Sequence, residues 1–144
     1  MNRLLALIIC AATLVGFSWI EARACTCALP LPNLTLKQQV KKAQKQSRAV
    51  FVGKVMQVVQ NPDASGVSVK FLVEKSWKGR LTREVTISTG LGGGDCGYRF
   101  EVGESYLVYA SGANKLLSTS ICQRTAPRSE NGDMKHLGKG RRPL

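Results

Sequence analysis

Two hydrophobic rhythms divide the chain. From Leu36, apolar residues recur at helical spacing, with Leu36, Val40 and Ala43 at i, i+4 and i+7. Thr35-Leu36-Lys37-Gln38 has the form of a capping box, so the pattern predicts a short amphipathic helix that starts there and ends near Gln46. From Ala49 the rhythm changes to that of strands. Val50 to Val59 reads as one long strand with Gly53 as a candidate bend, and Asn61-Pro62-Asp63 as the turn that ends it. Val67, Val69, Phe71, Val73 and Trp77 then share one face and Ser68, Lys70, Glu74 and Ser76 the other, an alternation that Leu72 interrupts and Lys78-Gly79 closes. Val85, Ile87 and Thr89 mark a third strand. Tyr106 to Ala110 marks a fourth, Ser111 to Asn114 a hairpin turn, and Leu116 to Cys122 a fifth. Five strands with no intervening helix predict a mainly β fold, a small closed or nearly closed barrel with one flanking helix.

The ends of the chain read differently. Asn2-Arg3, an apolar run from Leu4 to Ile20 and then Ala22-Arg23-Ala24 have the form of a secretory signal peptide cleaved after Ala24. An uncleaved anchor fits less well, because Gly16 and the alanines favour cleavage. Pro30 and Pro32 make Ala28 to Asn33 an extended or turning arm. After Cys122 the apolar pattern stops, and Arg124 to Leu144, rich in Arg, Lys, Gly and Pro, is expected to be a disordered basic tail. The domain reading is therefore a signal peptide over 1–24, one domain over 25–123, and a tail over 124–144.

Cleavage changes both charge and cysteine count. It removes Arg3, Arg23 and Glu21, lowering the formal charge of +12 by one. It removes Cys10 and leaves Cys25, Cys27, Cys96 and Cys122, an even set that predicts two disulfides in an exported protein, with three connectivities open. It also makes Cys25 the first residue. Lipidation of that cysteine is a competing fate, which charged Arg23 and small Ala22 disfavour.

The same residues exclude several chemistries. The only histidine, His136, lies in the tail, so neither a histidine-based site nor a Ser-His-Asp triad can be assembled in the core. Gly90-Leu91-Gly92-Gly93-Gly94 lacks the GK[ST] ending of a phosphate loop and reads as a flexible connector. Cys25-x-Cys27 is too tight for the usual zinc-ligand pair. An enzyme is not expected, nor is a cofactor or a metal of the protein's own. What remains is Cys25-Thr26-Cys27. A cysteine at a free N-terminus carries an amine and a carbonyl that can close a five-membered chelate ring on a metal ion, and both are acceptable zinc donors.

At this point the chain resembles the netrin-like domain of the tissue inhibitors of metalloproteinases. The likeness rests on the signal peptide followed by Cys25-Thr26-Cys27, on Ala49-Val50-Phe51-Val52-Gly53, and on Glu74-Lys75-Ser76-Trp77-Lys78-Gly79. It is continued by Asp95-Cys96-Gly97-Tyr98 and by Tyr106 to Ala110 followed by Leu116 to Cys122. The resemblance implies a five-stranded OB-type barrel, with Cys25 bonded to Cys96 and Cys27 to Cys122. It further implies that Cys25 chelates the zinc of a target protease, that Thr26 enters its specificity pocket, and that Asp95, Cys96 and Gly97 line the contact ridge. The family's third barrel disulfide and its C-terminal domain are absent, and Ala28-Leu29-Pro30 departs from its pattern.

Two functions follow as expectations. One is a secreted or periplasmic, monomeric inhibitor of zinc metalloproteinases. The other is an exported binding module for an anionic polymer or envelope component, using Lys37, Lys41, Lys42, Lys45 and Arg48 with the basic tail. No specific nucleic-acid partner is expected of an exported protein, and no transmembrane segment remains once the signal is removed.

Overall fold

The computed structural model describes residues 25–28, 33–63, 65–112, 116–130 and 132–144. Residues 1–24, read from the sequence as a signal peptide, residues 29–32 of the expected proline arm and residues 113–115 of the expected hairpin turn lie outside them.

Helix α1 spans Leu36–Gln46. Thr35 caps it as the sequence predicts: the Gln38 amide donates to the Thr35 hydroxyl, and the Thr35 amide donates to Gln38 Oε1 at 2.9 Å. The far end closes where the Ser47 amide and hydroxyl both donate to the Ala43 carbonyl. Lys78 adds its ammonium to the carbonyls of Gln44 and Lys45, at 2.9 and 2.7 Å. A cation at a helix C-terminus meets the negative end of its dipole.

The strands are β1 (Ala49–Gln60), β2 (Val67–Lys78), β3 (Glu84–Thr89), β4 (Ser105–Ala110), β5 (Leu117–Ser118) and β6 (Ala126–Pro127). They form one mainly antiparallel sheet in the order β5-β3-β2-β1-β4-β6, with β3 and β5 parallel. The β1–β2 register slips three times, once between Val52 and Gly53, and such bulges curl the sheet. Gly53 is required there, since a Cβ would come within 2.9 Å of the Leu72 carbonyl oxygen. A bridge between Ser111 and Ser118 ties the end of β4 to β5. The expected fifth strand is thus only two residues long, and a sixth, also of two residues, forms where none was predicted.

Each face of the curled sheet is buried in its own cluster. Inside the curl lie Phe51, Val55, Val69, Phe71, Val73, Ile87, Phe100, Tyr106 and Val108. Phe71 and Phe100 meet edge to face at 5.2 Å between ring centroids, and Phe51 and Tyr106 extend the chain of rings at either end. The other face packs Val50, Leu107 and Tyr109 against Val40 of α1 and Leu137, with Trp77 beside them. Two buried faces explain why β1 opens as an unbroken buried run rather than an alternation. They also correct the reading of β2. Its alternation breaks after Val73, so Ser76 is the buried residue and Trp77 joins the helix side.

Residues 124–130 and 132–144 are packed, contrary to the disorder expected of their composition. Arg128–Glu130 and Gly132–His136 form 3-10 turns, and Leu137 is buried. The Trp77 indole donates to the Gly138 carbonyl at 2.9 Å. Arg141 exchanges backbone bonds with Ser76 on the part of β2 that β3 leaves free, and the Leu144 amide donates to the Leu81 carbonyl. Polar bonds anchor this segment alongside apolar burial. Asp133, only 5% exposed, accepts two bonds from Arg124, at 2.7 and 2.6 Å, and a third at 3.0 Å from the Tyr109 hydroxyl. Burial first and the adjacent Asp133 carboxylate second push the Tyr109 hydroxyl well above its ordinary pKa. The hydrogen bond to Asp133 raises that of Arg124. No helix among the described residues is long and apolar enough to cross a membrane.

Candidate functional site

Two disulfides, Cys25–Cys96 and Cys27–Cys122, each with Cα atoms 5.1 Å apart, clamp the residues before α1 onto two loops of the sheet. The pairing is the one the resemblance implied. The bridges touch: Cys122 Sγ lies 3.8 Å from Cys25 Sγ and 3.9 Å from Cys96 Sγ. Three of these sulfurs fall within 4.8 Å of one another, a spacing that free thiolates could use for a metal. Bound in disulfides they are not thiolates, so the cluster is a staple. Between the two half-buried cysteines, Thr26 is exposed.

The loop that carries Cys96 is built around one carboxylate. Asp95 accepts from the amides of Leu91 at 2.6 Å, Gly92 at 2.9 Å and Gly97 at 3.0 Å. These bonds, that of Gly97 foremost and that of Leu91 next, hold its carboxyl below the usual carboxylate range. The glycine-rich segment, expected to be a flexible connector, is therefore tied. The amides that a phosphate would need are taken by the chain's own side chain. Gly97 is buried so close to Gly90 that a Cβ would fall 2.3 Å from that residue's carbonyl. Cys96 itself adopts φ 61°, a left-handed conformation sparsely used by residues with a side chain. Its carbonyl accepts from the Ile121 amide at 3.0 Å, which joins this loop to the one that carries Cys122.

Cys25, Thr26, Asp95, Cys96 and Gly97 thus form one locus, joined by covalent and backbone bonds. The basic residues form another. Lys37, Lys41, Lys42 and Lys45 lie along α1, and Arg48 is exposed just before β1. Lys42 opens onto a cleft of about 570 Å³ between α1, Cys122 and Arg124. Lys45 and Arg48 open onto a larger groove of about 1000 Å³, which Lys78 and Arg80 also line.

Sequence reading missed Lys78, Arg80 and the Tyr109–Arg124–Asp133 cluster. Lys78-Gly79 was legible as a strand end, but nothing local marked its neighbours as groove residues. Asp133 sits in a stretch whose composition pointed to disorder. The chain matches no protein-family model and no characterised protein.

Proposed function

We propose that this protein is an exported netrin-like module, similar to the tissue inhibitors of metalloproteinases, that inhibits zinc endopeptidases through Cys25 and Thr26. The observation that carries the proposal is the junction of two touching disulfides that leaves Thr26 as the exposed residue between two anchored cysteines. A five-stranded OB-type barrel is part of the same reading. It is supported by a ring of contacts: β1 pairs with β2 and β4, β2 with β3, β3 in parallel with β5, and β5 with the end of β4 through Ser111 and Ser118. Two disulfides accord with an oxidising destination outside the cytoplasm.

In this mechanism cleavage after Ala24 frees the amine of Cys25. A terminal amine ordinarily titrates at about 7.7–8.0, so a usable fraction of it is neutral at neutral pH. Its nitrogen and the Cys25 carbonyl oxygen fill the open positions of the protease zinc, where water and substrate would bind. The bridges hold both atoms in advance, so little conformational freedom is lost on binding. Thr26 enters the pocket beside the zinc, and the Asp95–Gly97 loop supports the contact.

The test extends the N-terminus. One alanine placed before Cys25 turns the amine into an amide, a poor metal donor, and leaves both bridges intact. In titrations of a panel of zinc endopeptidases, the native form inhibits and the extended form does not. No inhibition by the native form, or equal inhibition by both, would overturn the proposal. A binding module remains the second reading, favoured by the cationic groove beside α1.

A further inference from the structure

We infer that the groove between the end of α1 and the β2–β3 connection is a binding site for an anionic phospholipid at a membrane surface. It takes the headgroup phosphate between Arg48 and Arg80 and the hydrocarbon over Leu81, Val85 and Leu117. This site lies apart from the disulfide locus and does not depend on the inhibitory reading.

The charge of the groove is unopposed. Among the described residues that line it, Lys45, Arg48, Lys78 and Arg80 are cationic and none is acidic. Lys78 is already bonded to the last carbonyls of α1, so Lys45, Arg48 and Arg80 are the other cations that line the groove. Arg48, just before β1, and Arg80, just after β2, are brought near one another along the backbone where these strands pair. Val50 pairs with Lys78, and a Cβ on Gly79 would lie 3.2 Å from the Ala49 Cβ and 3.4 Å from the Arg48 carbonyl oxygen. A phosphate bound between two cations would accept charge-assisted hydrogen bonds from both.

The lining also selects among anions. It holds no aromatic side chain among the described residues, so it offers no platform for a nucleobase, or for a sugar ring, to stack on. A sulfated polysaccharide would gain nothing from the apolar floor of Leu81, Val85 and Leu117. An anionic lipid gains from both parts. Next to the floor, Leu116 is 81% exposed, the most exposed of the large apolar residues described. An apolar tip beside a basic cluster is the arrangement with which peripheral proteins meet an anionic bilayer.

The test is co-sedimentation with vesicles of phosphatidylcholine alone and of phosphatidylcholine mixed with phosphatidylglycerol. The native protein pellets with the mixed vesicles only. Arg48→Gln with Arg80→Gln weakens this about thirtyfold. Lys37→Gln with Lys41→Gln removes the same charge from α1 outside the groove and weakens it by less. Leu116→Ser lowers binding and leaves the thermal transition unchanged. The alanine-extended form, which cannot chelate, binds vesicles as the native form does, so this idea and the inhibitory one fail separately. Equal losses from the two charge pairs would reduce the effect to general electrostatics and overturn the site. So would equal binding to both kinds of vesicle, or retention on heparin that needs Arg48 and Arg80 while vesicles are ignored.

Discussion

Cys122 Sγ lies 3.8 Å from Cys25 Sγ, in van der Waals contact with a sulfur 97 positions earlier that is bonded to a different partner. The two bridges are therefore one staple, and their value lies in the length of chain they close. With separations of 71 and 95 residues, each contributes roughly 4 kcal/mol on the chain-entropy account. The double variant Cys27→Ala with Cys122→Ala should lose about that much in urea titrations. Non-reducing peptide mapping of the native protein should give Cys25–Cys96 and Cys27–Cys122. A map with Cys25 joined to Cys27 would refute the staple.

Thr26 is exposed, so its role in the proposed inhibitor is confined to the partner's pocket. Thr26→Gly should leave the melting temperature within about 3 °C of the native value. It should weaken inhibition several-fold, a smaller loss than the alanine extension gives, since few heavy atoms leave the interface. A loss of stability as large as the loss of inhibition would show that Thr26 is structural.

Asp95 makes the cysteine loop sensitive to acid. Its carboxyl is held below the usual range by the Gly97 and Leu91 amides, so its contribution is present above the unfolded value near pH 3.9 and is lost as pH falls through the lower folded value. Urea midpoints of the native protein should fall over that window. Those of Asp95→Asn should start lower and be flatter there. Gly97→Ala should be worse than either, because its Cβ would meet backbone rather than a movable side chain.

At the other end of the scale stands Tyr109. Its raised pKa means that stability is fully present below the unfolded value near pH 10 and is lost as pH rises from there towards the folded value. Tyr109→Phe should remove that alkaline decline and cost about 1–2 kcal/mol at neutral pH, through the lost bond to Asp133. Asp133→Ala should cost about 3 kcal/mol, since it leaves a largely covered Arg124 without its counter-charge though still bonded to Gln39, and it should release the segment after Cys122 to proteolysis. Equal protease resistance in both forms would contradict the anchoring role of Asp133.

The sequence by itself determined the local elements: the Thr35 cap, α1, the cores of β1 to β4, the bend at Gly53 and an even set of cysteines from Cys25 onward. Each of these is written in a window of a few residues, as a period, a cap or a breaker. Cysteine count alone left three pairings open, and only the likeness to a family selected one. Tertiary structure decided the rest. It shortened the fifth strand, because Ser111 and Ser88 offer Ser118 and Thr119 only a brief edge to pair with. It ordered a segment that its composition marked as unfolded, because Asp133 finds Arg124 and Tyr109 and the free stretch of β2 finds Arg141. It also gathered Lys45, Arg48 and Arg80 around one groove. These outcomes depend on partners far apart along the chain, whose meeting stabilises the fold only after the sheet has curled, and no local pattern carries that information.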